Sequence, residues 1–306
     1  MTTSASTVIE IIEFTDPVCT WCWGSEPVLR KLETRFGEQI KISFVMAGLV
    51  KDITSFYDSH NDIGGDPARS NANIARHWLE ASQRHGMPVK SEGFALFSHD
   101  LPSSYPQNIA YKAAQLQDQK LADRFLRRLR EASAAEAKLT NTTEVLIELA
   151  SVVGLDVARF LEDLSSGAAL SAFEQDLATA ARYQAHGFPT FLVRYGKKKV
   201  LLRGYQRYEE FKAVIGHLAN GTIRERPIPA DKEAIMAFIQ KYASVAPVEI
   251  KMTFDLTDIE LNSAINSLMA QQRITRREAG NGYFLSPKIS PMICDAPTGV
   301  CTGQTS

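Results

Sequence analysis

Strand-like segments flank a long block whose pattern is helical, and this layout restricts the fold more than any other feature of the chain. Residues 8–14, VIEIIEF, are apolar and rich in β-branched side chains. Residues 40–47, IKISFVMA, alternate as a second strand. Between them, a helix over about 19–36 places Val28, Leu29, Leu32 and Phe36 on one face, with Pro27 predicting a kink. Residues 48–66 are loop-like and end in the breaker GGDP. From about 68 to 183 the pattern is helical, as in SNANIARHWLEASQRHG. Asn141 or Thr142 before Glu144 predicts a helix cap, and Gly154 followed by Asp156 predicts one helix ending and the next starting. Gly187-Phe188-Pro189-Thr190 breaks the block. FLVRYGKKKVLLRG then reads as a hairpin around Gly196, and 207–219 as a helix. The sum is one α/β domain split by a helical insertion.

A second unit follows. Residues 221–230, GTIRERPIPA, carry two prolines and read as a linker. Residues 231–286 predict a helix (DKEAIMAFIQKYAS), a short strand (VEIKMTF), one or two further helices, and a hairpin with Asn281-Gly282 at its turn. That order is winged-helix-like. DNA binding is nonetheless not expected. Residues 225–288 hold eight basic and eight acidic side chains, and the candidate recognition helix, about 257–271, carries Asp258 and Glu260 with no Lys or Arg. A protein-contact or dimerisation module is the expectation, the second of which allows a homodimer. Residues 287–306 form a tail with the pair Cys294 and Cys301.

The whole chain of 306 residues has 34 Lys+Arg against 35 Asp+Glu, so nothing drives it globally toward nucleic acid or an anionic membrane. No apolar run approaches the ~18 residues of a spanning helix. The opening MTTSAST lacks a basic n-region, an apolar h-region and a cleavage site, which predicts a cytoplasmic protein. In a reducing compartment four cysteines point to chemistry rather than to a static disulfide framework.

Cys19-Thr20-Trp21-Cys22 lies just after a strand and opens a helix. Unpaired N–H groups and the positive dipole end at that position stabilise a thiolate. The spacing assigns Cys19 to attack a disulfide and Cys22, one turn on, to resolve the mixed disulfide. Two other readings compete: half of a zinc site completed by Cys294 and Cys301, or buried inert thiols. Zinc pairs usually have two to four intervening residues, and the tail pair has six. None of the six histidines forms an HxxxH or HExxH pattern, so no metal is expected. The tail pair reads as a redox relay that swings into the Cys19/Cys22 site, as a soft-metal pair, or as two inert thiols.

Val8–Cys22, the helical insertion and Gly187–Thr190 together resemble the DsbA-like branch of the thioredoxin superfamily. DPVCTWCWG is similar to its cytosolic, FrnE-like predicted disulfide isomerases. SYPQNIAYKAAQLQDQKLADRFLRRLREA is similar to the insertion of that group and of the YjbH/SpxH adaptors. The resemblance covers about residues 8–220. It implies a thioredoxin domain over 1–220, its two parts at about 7–48 and 184–220, with the insertion at about 66–183. It makes Pro189 a cis-proline facing the cysteines, and lets the Phe188 backbone, with Thr190 beside it, pair with an extended substrate. It makes Glu13 a buried acid beneath the disulfide, able to relay a proton; an exposed strand residue is the alternative. Trp21 is assigned to a substrate-binding rim and Trp23 to the core.

The leading expectation is thus a thiol–disulfide oxidoreductase or isomerase. It would act on disulfide-containing proteins or peptides, draw on a cellular thiol reductant, and use no cofactor beyond its cysteines. The competing expectation is an adaptor without turnover, in which the CxxC serves as a redox or metal sensor. A redox-sensing transcription factor comes third.

Overall fold

The structure, a computed structural model, describes residues 8–288 and the backbone of 293–294 and 301–302. Strand β1 (Ile9–Thr15) lies at the centre of a four-stranded sheet with β2 (Ile40–Met46), β3 (Thr190–Tyr195) and β4 (Lys198–Arg203). The order is β2-β1-β3-β4. β1 and β2 run parallel, with Glu13 opposite Phe44, and the crossover between them is helix α1 (Thr20–Phe36). β1–β3 and β3–β4 are antiparallel, and Gly196 at φ 58° sits in the turn between the last two. The sheet is therefore built from both ends of the first 220 residues. This is the thioredoxin fold with a large helical insertion.

The insertion contains α2 (Pro67–His85), α3 (Tyr105–Gln117), α4 (Gln119–Arg130), α5 (Thr143–Val153), α6 (Val157–Ser165) and α7 (Ala168–Arg182). Residues 86–104 have no regular structure, so the helical block is interrupted. Gly154, at φ 86°, ends α5, and the Asp156 carboxylate accepts from Arg159 N to start α6. Thr142 stands at the N-cap of α5, but its hydroxyl donates back to Leu139 O. The last turn of α4 continues as a π-helical turn, Glu131–Ala135. The insertion has its own core, including Tyr111, Phe125, Leu129, Leu149, Phe160 and Phe173. On one face of the sheet, α1 and α8 (Tyr208–Leu218) bury Val28, Leu32, Phe36, Phe211 and Ile215 against Ile9, Ile11 and Phe191.

The C-terminal unit comprises α9 (Lys232–Tyr242), α10 (Pro247–Phe254), α11 (Asp258–Ala270) and the hairpin β5 (Ile274–Ala279) and β6 (Gly282–Pro287). The strand expected at VEIKMTF is a helix. Val248, Ile250, Met252 and Phe254 alternate like a strand, but Glu249, Ile250, Thr253 and Phe254 are the buried set, which is helical spacing. Pro247 at the first turn and the bond from Ala246 N to Glu249 Oε2 start that helix. The hairpin turn is Gly280-Asn281, one residue earlier than expected. Its tip is not a free wing. Asn281 N donates to Val89 O at 2.9 Å, and Val89 N donates to Asn281 Oδ1 at 2.8 Å. A Cβ added at Gly280 would lie 2.3 Å from Val89 O. The linker also adheres, through Arg226 N donating to Arg35 O. Among the described residues, no helix is long and apolar enough to cross a membrane. Two short backbone strands, β7 (Ile293–Cys294) and β8 (Cys301–Thr302), pair with each other. The side chains of Cys294 and Cys301 lie outside the described residues, and with them the expected relay.

Candidate functional site

Cys19 is the N-cap of α1, and the Cys22 N–H donates to its Sγ at 3.2 Å. The turn before it is held by Asp16. Val18 N and Leu49 N donate to its carboxylate, as do Ser104 Oγ and Asn108 Nδ2. Those four donors tie the turn to the loop after β2 and to α3. Burial pushes the Asp16 pKa up while the hydrogen bonds pull against it. Both cysteines are free thiols and both are buried, with Cys19 6% exposed and Cys22 fully enclosed. Burial pushes the Cys22 thiol well above its ordinary range, and the neighbouring Cys19 and Glu13 push it further.

Glu13, on β1, is fully buried. Burial raises its pKa to about 7 against the pull of Arg130. Arg130 Nη2 donates to Glu13 Oε1 at 3.3 Å and to Thr15 Oγ1 at 2.6 Å, while Glu13 Oε2 has no partner. Arg130 Nη1 donates to Glu26 Oε1 at 2.5 Å. Despite burial, Arg130, Arg127 and Arg30 hold the Glu26 pKa down at about 2. Arg127 joins Glu26, Glu131 and Glu249, and Arg30 joins Glu249. A continuous line of buried ion pairs thus runs from the floor of the CxxC to α10 of the C-terminal unit.

Above the thiols the surroundings are largely apolar, with Asp58, Asn61 and His77 as the polar part of the wall. Cys19, Trp21 and Phe188 line a cleft of about 190 Å³ together with Phe56, Ile74, Trp78 and Phe97. The Phe188–Pro189 bond is cis, and Pro189 O accepts from Gly204 N. Thr190 is buried at the start of β3, where its hydroxyl donates to Gly187 O. Trp21 is half-buried, with its ring 5.8 Å from that of Tyr205 and 6.0 Å from that of His85. Trp23 is buried, donates to Pro88 O and lies under the Arg127 guanidinium. His85 is enclosed beside Gly24, and burial lowers its pKa to about 4. His186 is exposed. The described residues hold no group of three or more His, Cys, Asp or Glu arranged to hold a metal ion.

The structure therefore brings Cys19, Trp21 and Phe188 to one cleft, with Cys22 and Glu13 beneath. Sequence reasoning missed Asp16, Glu26, His85, Arg127, Arg130 and Glu249. Asp16 stands within the quoted DPVC stretch and could have been singled out there. Arg127 and Arg130 sit in RFLRRLREA, which reads as an ordinary amphipathic helix, and no local signal marks which of its arginines turns inward.

A family model described as Thioredoxin matches residues 13–213. The ClpXP adapter protein SpxH of Halalkalibacterium halodurans is 29% identical over 269 residues, covering 87% of this chain and 84% of its own. The protein of the same name from Bacillus subtilis is 27% identical over 281 residues, covering 90% of this chain and 88% of its own. Among solved structures, the cytosolic disulfide reductase DsbM from Pseudomonas aeruginosa is similar at TM-score 0.54 and 20% identity, covering 69% of this chain and 98% of its own. A 2-hydroxychromene-2-carboxylate isomerase is similar at TM-score 0.51 and 14% identity, with 69% and 96% covered. The solved structures share the fold, which hosts more than one chemistry.

These findings correct the leading expectation. The disulfide oxidoreductase or isomerase reading, and with it the assignment as an enzyme, is overturned by relatives over most of the chain that are named adapter proteins.

Proposed function

The chain belongs to the thioredoxin family, and from that premise we propose that it works as an adaptor that presents a client protein to ClpXP. The observation that carries this is the extent of the matches. The adapter relatives cover 87–90% of the chain, so their similarity must run well into the C-terminal unit. The DsbM structure covers almost all of itself but only 69% of this chain. What distinguishes this protein from a bare thioredoxin-fold enzyme is thus shared with adaptors.

The geometry supports the same reading. The C-terminal unit is fastened to α1 and to the insertion by buried ion pairs and by its hairpin tip, so the chain offers one rigid platform. The apolar cleft at Cys19 suits a large apolar side chain of a protein partner. Cys19 in the wall of that docking site and Cys22 beneath it then serve as a redox-responsive element, in the cytoplasm. Trp21 and Phe188 belong to the docking site, Thr190 supports it from the start of β3, and Glu13 titrates beneath it.

The test is reconstituted degradation of candidate client proteins by purified ClpXP, with and without the chain, alongside insulin reduction by dithiothreitol. Accelerated degradation that survives Cys19→Ser/Cys22→Ser, with no insulin turnover, supports the adaptor. Unchanged degradation together with insulin reduction that Cys19→Ser abolishes would overturn it.

A further inference from the structure

A second cavity, of about 560 Å³, shares no lining residue with the cleft at Cys19. Its walls come from α1, β2, α4, the end of α5 and the end of α9 with the residues after it. The volume lies in the range of small-molecule sites, roughly 300–1,000 Å³. The apolar part is made by Leu29, Phe44, Leu126 and Val153. The charged part is lopsided, with six cationic side chains against four carboxylates.

The carboxylates already have partners. Glu26 and Glu131 pair with Arg127. Glu33 accepts from Tyr242 Oη at 2.7 Å, and Asp123 accepts from Gln119 and Tyr111. Two cations do not. Lys120 and Arg124, four residues apart on α4 and so on one face, have no hydrogen-bond or ion-pair partner among the described residues. Two buried polar atoms of lining residues, Arg128 Nη1 and Ser244 Oγ, also lack a hydrogen-bond partner. A cavity with an apolar wall, surplus positive charge and unused donors is built for an occupant with the opposite pattern.

We propose that this cavity binds a small amphiphilic anion, an acyl-chain carboxylate, with its chain against Leu29, Phe44, Leu126 and Val153 and its carboxylate at Lys120 and Arg124. The occupant would touch both the insertion and the C-terminal unit, so binding would tie the two together and raise the stability of the whole chain. This is independent of the adaptor reading.

The test is calorimetric titration of the full chain with laurate below its micellar concentration, and with dodecyltrimethylammonium as the opposite-charge probe. The expected result is saturable 1:1 binding of laurate, at least tenfold weaker binding of the cationic amphiphile, and a melting temperature that rises with laurate. Lys120→Glu/Arg124→Glu changes two exposed side chains and should weaken laurate binding at least tenfold while leaving the unliganded melting temperature unchanged. Val153→Trp should abolish binding by filling the cavity. No saturable binding, equal affinity for both amphiphiles, or unaltered binding in either variant would overturn the proposal.

Discussion

The first turn of α1 and the stretch that follows it are both largely buried, but they are packed in opposite ways. Cys19 faces a largely apolar cleft walled by Val18, Trp78 and Phe97. Seven residues on, Glu26 and then Arg30 are buried among charges and are tolerated because Arg127, Arg130 and Glu249 complete them. Burial moves protons at the first place and holds them at the second. Glu13 and Cys22 sit between the two, with Glu13 holding too little of Arg130 to be ionised cheaply. One helix thus carries a volume-sensitive end and a charge-sensitive middle, and the C-terminal unit is anchored to the latter.

The sharpest way to break that contrast is Glu249→Ala. It removes the carboxylate shared by Arg30 and Arg127, both of which are largely buried. Breaking a buried pair costs roughly 3–5 kcal/mol. Urea unfolding should show that loss, and a loss under 1 kcal/mol would mean the seam does not anchor the unit. Glu13→Gln tests the junction. The folded pKa of about 7 lies above the ordinary 4.5, so the fold favours the neutral acid. That stabilisation is complete below about pH 4.5 and is lost as pH rises toward 7, a change on the order of 3 kcal/mol. In Glu13→Gln this part of the pH dependence should vanish, as measured by unfolding at pH 5, 6, 7 and 8.

At the neutral end the sensitive variable is space. A Cβ at Gly24 would lie 2.5 Å from the His85 ring, which is itself enclosed. Gly24→Ala should therefore cost roughly 1–3 kcal/mol by overpacking, although alanine is the better helix former. A thermal melt at or above the wild-type midpoint would show that His85 can move aside. The smallest effect is expected at Arg273, whose pair with Glu233 is exposed. Arg273→Ala should change stability by no more than about 0.5 kcal/mol and should blunt only the salt dependence.

The split of the α/β domain was legible because periodicity switches from 2 to 3.6 and back along the chain, and Gly187–Thr190 marks the return. The same logic failed at VEIKMTF. Val248, Ile250, Met252 and Phe254 alternate as in a strand, whereas Glu249 is buried against Arg30 and Arg127, each more than a hundred residues away in the chain. The hairpin was legible from its turn residues, yet its tip docks on Val89, a contact that no local pattern encodes. The motif itself was visible, but its chemistry was not, because the spacing of two thiols does not state how deeply they are buried.

From its residues alone, then, this chain determined its strands, most of its helices and the place of Cys19 at a helix start, since those follow from local periodicity and capping. Only the tertiary structure decided that Cys19 and Cys22 are enclosed, that burial lifts the Glu13 pKa to about 7, and that the C-terminal unit is clamped to α1. Those properties depend on the dielectric and on partners brought from distant segments, and a charge carries the same letter in the sequence whether it faces water or another buried charge.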